Sequence, residues 1–173
     1  MKSSPLPKTT KHLDADKLRQ ALRLWTTGVT IVAARHQGVT HGMTVNSFTS
    51  LSLDPPLVSV SLEKITRTHQ LVKSAGVFAV TILPQAQRAL SDRFAGRDNE
   101  QSNRFAQVDT LSLETGSPIL VHGLAYFDCR VAASHDAGTH TLFIGQVLAC
   151  GTLVEGQPQP LVYFNRGYRK IAG

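Results

Sequence analysis

What most constrains this chain is a succession of short β-like segments, separated by turn residues and by no long helices. Leu57–Leu62 (LVSVSL) shows it most clearly, alternating apolar and hydroxyl residues in the period-2 pattern of a half-buried strand. Asp54-Pro55-Pro56 bounds it, because proline has no N–H to give to a ladder. Val29–Arg35 is rich in β-formers, His36-Gln37-Gly38 is a turn signal, and Val39–Ser47 follows as a hairpin partner. Phe48–Leu53 and Val77–Leu83 are further strands. Ile119–Ala132 and Thr139–Cys150 are two long β segments flanking a turn over Ala133–Gly138, and Leu161–Phe164 is a last strand before a tail at Gly167–Ile171.

Three helices are expected. Asp14–Trp25 carries apolar residues at helical spacing, with Asp14 or Asp16 as cap, Gly28 as stop, and Trp25 as a core filler. Thr66–Lys73 ends near Gly76, and Pro84 opens a helix over Gln85–Phe94. Gly96–Thr110 reads as loop with a short helix. Strands that do not alternate with long helices exclude a doubly wound sheet. The expectation is a mainly β protein, a Greek-key β-barrel with helices packed outside.

The 173 residues suit a short tail over 1–13 and one domain over 14–173. Apolar residues are 42% and charged residues 17%, a globular balance. No apolar run reaches the roughly 18–20 residues of a membrane helix. The first residues lack the apolar centre of a secretory signal, so a cytoplasmic location is expected. Cys129 and Cys150 stand alone in strand-like stretches and read as free thiols. The net charge of +6 admits nucleic acid or an anionic small molecule as partner. Scattered bases and only 6% aromatic residues disfavour nucleic acid.

There is no G-x-G-x-x-G after a strand, no P-loop, no H-E-x-x-H and no G-x-S-x-G. His135 and His140 span a turn and bring no third ligand, so no metal is expected. The densest chemical signal is GMTVNSFTSLSLDPPL, Gly42–Leu57. Thr44, Asn46, Ser47, Thr49, Ser50 and Ser52 can cradle the polar edge of a heterocycle and a phosphate, or form a solvated strand face.

Six blocks, in order, resemble the short flavin reductases of two-component monooxygenases, the FMN-binding split-barrel family. They are LRLWTTGVTIVA, GMTVNSFTSLSLDPPLVSVSL, TRTHQLVKSAGVFAVTIL, RFAGR, GTHTLFIGQV and PLVYFNRGYRKI, and the resemblance covers roughly Leu18 to Ile171, nearly the whole domain. The resemblance implies a homodimer with a flavin, FMN or FAD, in each subunit, reduced by NADH or NADPH. Thr44, Asn46, Ser47, Thr49 and Ser50 match flavin-ring and ribityl contacts. Ser61, Leu62, Glu63 and Thr66 match the ribityl–phosphate part, with Arg67 and Lys64 as phosphate charges. Arg93, Phe94 and Ala95 match the block beside the flavin tail. His140 matches a histidine on the nicotinamide side, with Tyr168 and Arg169 reaching the same nucleotide. Thr81 departs from the family, which often has Asn there.

The implied function is an NAD(P)H-dependent flavin reductase that supplies reduced flavin to a partner monooxygenase. In such chemistry the cofactors make and break the bonds and the protein orients them, so no catalytic dyad is required. The alternative is a flavin-binding module that stores or senses flavin without turnover.

Overall fold

In the computed structural model the structure describes residues 13–97, 103–156 and 158–171. The expected tail therefore lies outside it except for Leu13, as does part of the Gly96–Thr110 loop.

After helix α1 (Ala15–Leu22) and the short strand β1 (Thr27–Gly28) come β2 (Thr30–His36), β3 (Val39–Val45), β4 (Thr49–Leu53) and β5 (Pro56–Glu63). Helix α2 (Arg67–Ala75), β6 (Val77–Ile82), a single 3-10 turn and α3 (Arg88–Phe94) follow. The chain continues through β7 (Thr110–Leu111), β8 (Ile119–Leu120), β9 (Ala125–Ala137), β10 (His140–Thr152), β11 (Val162–Phe164) and β12 (Gly167–Arg169).

Seven strands form one antiparallel sheet in the order β3-β2-β6-β9-β10-β5-β4. Its two edge strands are joined by only Asn46, Ser47 and Phe48. Four Cα steps from Val45 to Thr49 reach about 15 Å. A flat sheet would place its edges about 29 Å apart, six gaps of roughly 4.8 Å. The sheet must therefore roll up, and the Asn46–Phe48 corner is its seam. Ser47 strengthens the seam: its Oγ donates to the Ser61 carbonyl at 2.9 Å and accepts from the Ser61 N–H at 3.1 Å.

Rolling encloses one apolar interior. Val32 and Ala34 of β2, Val58, Val60 and Leu62 of β5, Phe78 and Val80 of β6, and Phe143 of β10 meet there, with Val72 of α2 plugging one side. The period of two sends Ile31 of β2 outward instead, to a second cluster with Val29, Leu83, Phe94 and Leu120. Strand β2 is thus covered on both faces, which explains its unbroken apolar run. The three-stranded sheet β1-β11-β12 lies over this outer cluster through Tyr163 and Tyr168. Gly42 is needed here, since a Cβ would meet the rings of Phe94 and Phe105 at 3.0 and 3.1 Å.

Local signals account for the elements. Asp14 caps α1 by accepting the Asp16 N–H, and Thr66 caps α2 by accepting from His69 N–H. Gly76 ends α2 with φ of +67°. Gln37 and Gly38 both have positive φ, as the two-residue β2–β3 turn demands. Thr81, the departure from the family pattern, is buried and accepts the Leu120 N–H at 3.2 Å.

Several expectations need correcting. The first helix ends at Leu22, not Trp25, and has no buried residue. Trp25 is no core filler: it is 73% exposed. Ala133–Ala137 is strand rather than turn, because β9 and β10 stay paired up to Ala137 and His140. The long segment from Ile119 breaks after Leu120, and β9 begins at Ala125. The tail at Gly167–Ile171 contains β12, paired with β11 across a turn at Asn165-Arg166. Cys129 is buried and Cys150 exposed, and both are free. Burial, then Asp128 and Cys150, pushes the Cys129 thiol up to about 12.

Candidate functional site

The surface is indented at the seam corner. Asn46 lines three adjoining cavities of about 180, 460 and 230 Å³. The first is walled by Thr44, Ala95, Arg97, Tyr163 and Tyr168. The second has Ser47 and Thr49 facing Arg23, Trp25 and Arg166. The third runs from Trp25 past Thr27 to Phe48. Of these three, the middle cavity is within the roughly 300–1,000 Å³ of small-molecule sites, as are two further clefts of about 510 and 570 Å³.

The polar atoms at this corner divide into two sets. Some already hold the fold. Thr44 Oγ1 donates to the Ser91 carbonyl at 2.6 Å, tying β3 to α3, and Ser47 is engaged with Ser61. Others are open. Among the described residues five buried side-chain atoms lack a hydrogen-bond partner, and two of them, Arg23 Nε and Thr27 Oγ1, belong to residues that line the middle cavity; His69 Nδ1, Arg93 Nε and Ser117 Oγ lie elsewhere. A buried donor left unmatched costs on the order of 1–3 kcal/mol, a cost that a polar ligand in this cavity would relieve. With Arg166 on the same wall, the groove suits an anionic heterocycle.

Tyr168 fixes the far end. Its hydroxyl bonds to Ser91 Oγ at 2.9 Å and donates to Asp92 Oδ1 at 3.0 Å. The Arg88 and Arg97 guanidinium groups lie 5.2 and 5.9 Å from its ring centre, and Arg97 is paired with Asp92 at 2.8 Å. Burial above all keeps the Tyr168 phenol protonated beyond its ordinary range.

Of the residues expected from the sequence, Thr44, Asn46, Ser47, Thr49, Ala95 and Tyr168 come together around this corner. Ser50 follows Thr49 on β4, exposed, and Ser61 is reached through Ser47. Leu62 and Phe94 have fully buried side chains, one in the barrel and one edge-on to Phe105. Arg93 is spent on the neighbouring loop, donating to the carbonyls of Ala106 at 2.6 Å and Asn103 at 3.3 Å. Arg169 is exposed and turns back to the Tyr168 carbonyl. Arg67 lines a separate cleft with Arg35 and Phe105, on another part of the surface.

Glu63, Lys64, Thr66 and His140 form a second group, at the end of β5 and the tip of the β9–β10 hairpin. His140 is opposite Glu63, and its Nδ1 is 2.9 Å from Thr139 Oγ1. Lys64 is not free for a phosphate. Its Nζ donates to Asp136 Oδ1 at 2.7 Å and to the Gly138 carbonyl at 2.6 Å, clasping the hairpin tip. That bond holds the exposed Asp136 carboxyl below its ordinary range. Behind this group His69 is buried, with Nε2 2.8 Å from Thr141 Oγ1, and burial lowers its pKa, helped by Lys73 and Lys64.

The sequence reading missed Arg23, Trp25, Thr27, Tyr163, Arg97 and Arg166 as groove residues. Arg23, Trp25 and Thr27 were visible as the polar and aromatic end of the first helix, but nothing local said that this end faces Asn46. Among the described residues no group of His, Cys, Asp and Glu could hold a metal, and no helix is long and apolar enough to cross a membrane.

Comparison with known proteins decides the family: the flavin reductase like domain matches residues 22–172. The chain belongs to the flavin reductase like domain family. The NADH-dependent flavin reductase StyB of Pseudomonas fluorescens is 42% identical over 159 residues, 90% of this chain and 89% of that one. The flavin-dependent monooxygenase reductase subunit HsaB of Mycobacterium tuberculosis is 35% identical over 160 residues, 92% and 84% of the two chains. Among solved structures, nitrilotriacetate monooxygenase component B from Mycobacterium thermoresistibile superposes with a TM-score of 0.85 at 35% identity, covering 91% of this chain and 86% of that one. The rolled sheet with outer helices is thus the flavin reductase split barrel.

Proposed function

We infer that this flavin reductase family member oxidises NADH or NADPH, passes the electrons to FMN or FAD, and supplies reduced flavin to a partner oxygenase. The observation that carries the reading is the seam groove, where Arg23 Nε and Thr27 Oγ1 stand buried and unmatched beside Asn46 and Thr49. StyB is named an NADH-dependent flavin reductase and HsaB a monooxygenase reductase subunit, which supports the same direction of electron flow.

Flavin, when bound, supplies the two-electron acceptor that no side chain provides. The chain's own residues do the rest. Asn46 and Thr49 offer an amide and a hydroxyl to the edge of the ring, and Thr27 Oγ1 and Arg23 Nε gain the partners they lack. Thr44 and Ser47 hold the corner rigid, which keeps this edge in one place. Arg166 meets negative charge on the ligand's tail. His140, Tyr168 and Arg169 serve the nicotinamide nucleotide, which is NADH or NADPH. Orientation of this kind accounts for roughly 7–11 kcal/mol of barrier in well-aligned reactions.

The active form in this reading is a homodimer. Helix α1 exposes Leu18 and Leu22, and Leu24 follows at 72% exposure, an apolar face suited to a second copy. The domain over 14–173 works in the cytoplasm, where Cys129 and Cys150 stay reduced.

The test is NADH and NADPH oxidation in air by the purified protein, with FMN and FAD supplied in turn. Oxidation well above the no-enzyme rate with at least one flavin is expected. No acceleration with either flavin and either nucleotide contradicts the reading.

A further inference from the structure

The one tryptophan of this chain is in the wrong place for a core residue. Trp25 is 73% exposed, whereas Phe78 and Phe94 are completely buried. Its backbone is nevertheless fixed. The N–H of Leu24 donates to the Ala21 carbonyl at 3.1 Å and that of Trp25 to the Leu22 carbonyl at 3.2 Å, so the chain is held in a turn just beyond α1. From there Trp25 lines both the 460 Å³ and the 230 Å³ cavities, with Asn46 and Thr49 also on the walls of both.

We propose that Trp25 is the aromatic platform against which the flavin's flat ring packs, a binding residue of the seam groove. The proposal rests on the flavin-reductase reading and extends it to a residue outside the hydroxyl-rich cradle. A tryptophan buries on the order of 150–250 Å² when covered, and aromatic pairs favour offset stacking. A planar ring placed between Trp25 and the wall of Asn46 and Thr49 covers the indole. It also brings a polar edge to Thr27, which lines both cavities and whose Oγ1 lacks a partner. Leu18, Leu22 and Leu24 are exposed too, but an aliphatic face offers no stacking surface, and it suits a protein partner instead. Leu22 also lines the 460 Å³ cavity, but Trp25 is the exposed aromatic side chain that shares its walls with unmatched polar atoms.

The ring is common to riboflavin, FMN and FAD, so Trp25 contributes equally to all three. The experiment measures the affinity of the full-length protein for each of them, by flavin fluorescence, with Trp25→Ala and Trp25→Phe beside the wild type. Sedimentation gives the oligomeric state of each. Losing a stacking partner weakens binding roughly tenfold. The expected result is that loss in Trp25→Ala for all three ligands, near-normal affinity in Trp25→Phe, and unchanged mass. Bound flavin is quenched by contact with indole, so its emission rises in Trp25→Phe; this readout stands even if Trp25→Ala fails to fold. Unchanged affinity in Trp25→Ala, or unchanged emission in Trp25→Phe, overturns the proposal. A smaller particle with the per-site affinity kept also overturns it and assigns Trp25 to a subunit contact. If the wild type binds none of the three flavins, the functional reading itself fails; if it binds and reduces flavin while both variants match it, only this inference fails.

Discussion

The barrel interior and the seam groove meet at one strand and the corner after it, yet they treat polar atoms in opposite ways. Strand β3 and the corner after it contribute to both. Val45 faces the interior with Val58, Val60 and Phe78, where the side chains are aliphatic or aromatic and close-packed. Asn46, one residue later, faces three cavities. Inside, stability comes from apolar area removed from water. At the groove, Arg23 Nε and Thr27 Oγ1 are buried and unmatched, a cost the fold carries until a ligand meets it. In a barrel of this kind a ligand has room at the corner where the edges are joined, not at the filled centre.

Substitutions on the two sides should therefore separate stability from binding. The largest effect belongs to the interior. Phe78 is fully buried in the barrel cluster, so Phe78→Ala should cost about 3–5 kcal/mol of unfolding free energy. Denaturant titration measures it, and a loss under 1 kcal/mol would mean the interior is not the stabilising core. Ser47 belongs to both regions. Ser47→Ala removes both bonds to Ser61 and should cost about 1–3 kcal/mol while also weakening flavin binding, since the corner slackens. Loss of stability with flavin affinity intact would show that seam and groove are independent.

A third effect is on pH dependence. His41 has its Nδ1 2.8 Å from Thr68 Oγ1, and its pKa is lowered to about 4, by burial first and then by Arg104 and Arg67. The folded protein thus keeps His41 neutral while the unfolded chain binds a proton below the ordinary 6.5. Its contribution is fully present above 6.5 and is lost as pH falls toward 4. Melting temperatures of wild type and His41→Gln across this range should converge as pH falls; parallel curves would remove His41 from the account.

The strands were legible where alternation and turn residues agreed. The β2–β3 and β4–β5 hairpins are bounded by Gln37-Gly38 and by Asp54-Pro55, and both were expected within a residue or two. Strand β12 was hidden because its turn is made by Asn165 and Arg166, neither of them glycine, at φ of +47° and +61°. The cradle was legible as chemistry but not as roles. Thr44, Ser47 and Thr66 looked alike in sequence, yet all three bond to the protein itself, while Thr49 stays on the groove wall. Lys64 looked like a phosphate charge because sequence does not show Asp136, 72 residues away, at its side. Trp25 looked like core because an amphipathic helix names an apolar face without saying what covers it.

In the proposed reading flavin binds at the corner of Asn46, outside the barrel. Asn46 is exposed and makes no hydrogen bond among the described residues' side-chain contacts, so changing it should leave the fold alone. Titration of Asn46→Leu with FMN tests this most directly. The expected affinity is at least tenfold weaker than wild type, with the melting temperature of the flavin-free protein unchanged. Wild-type affinity in Asn46→Leu would contradict it.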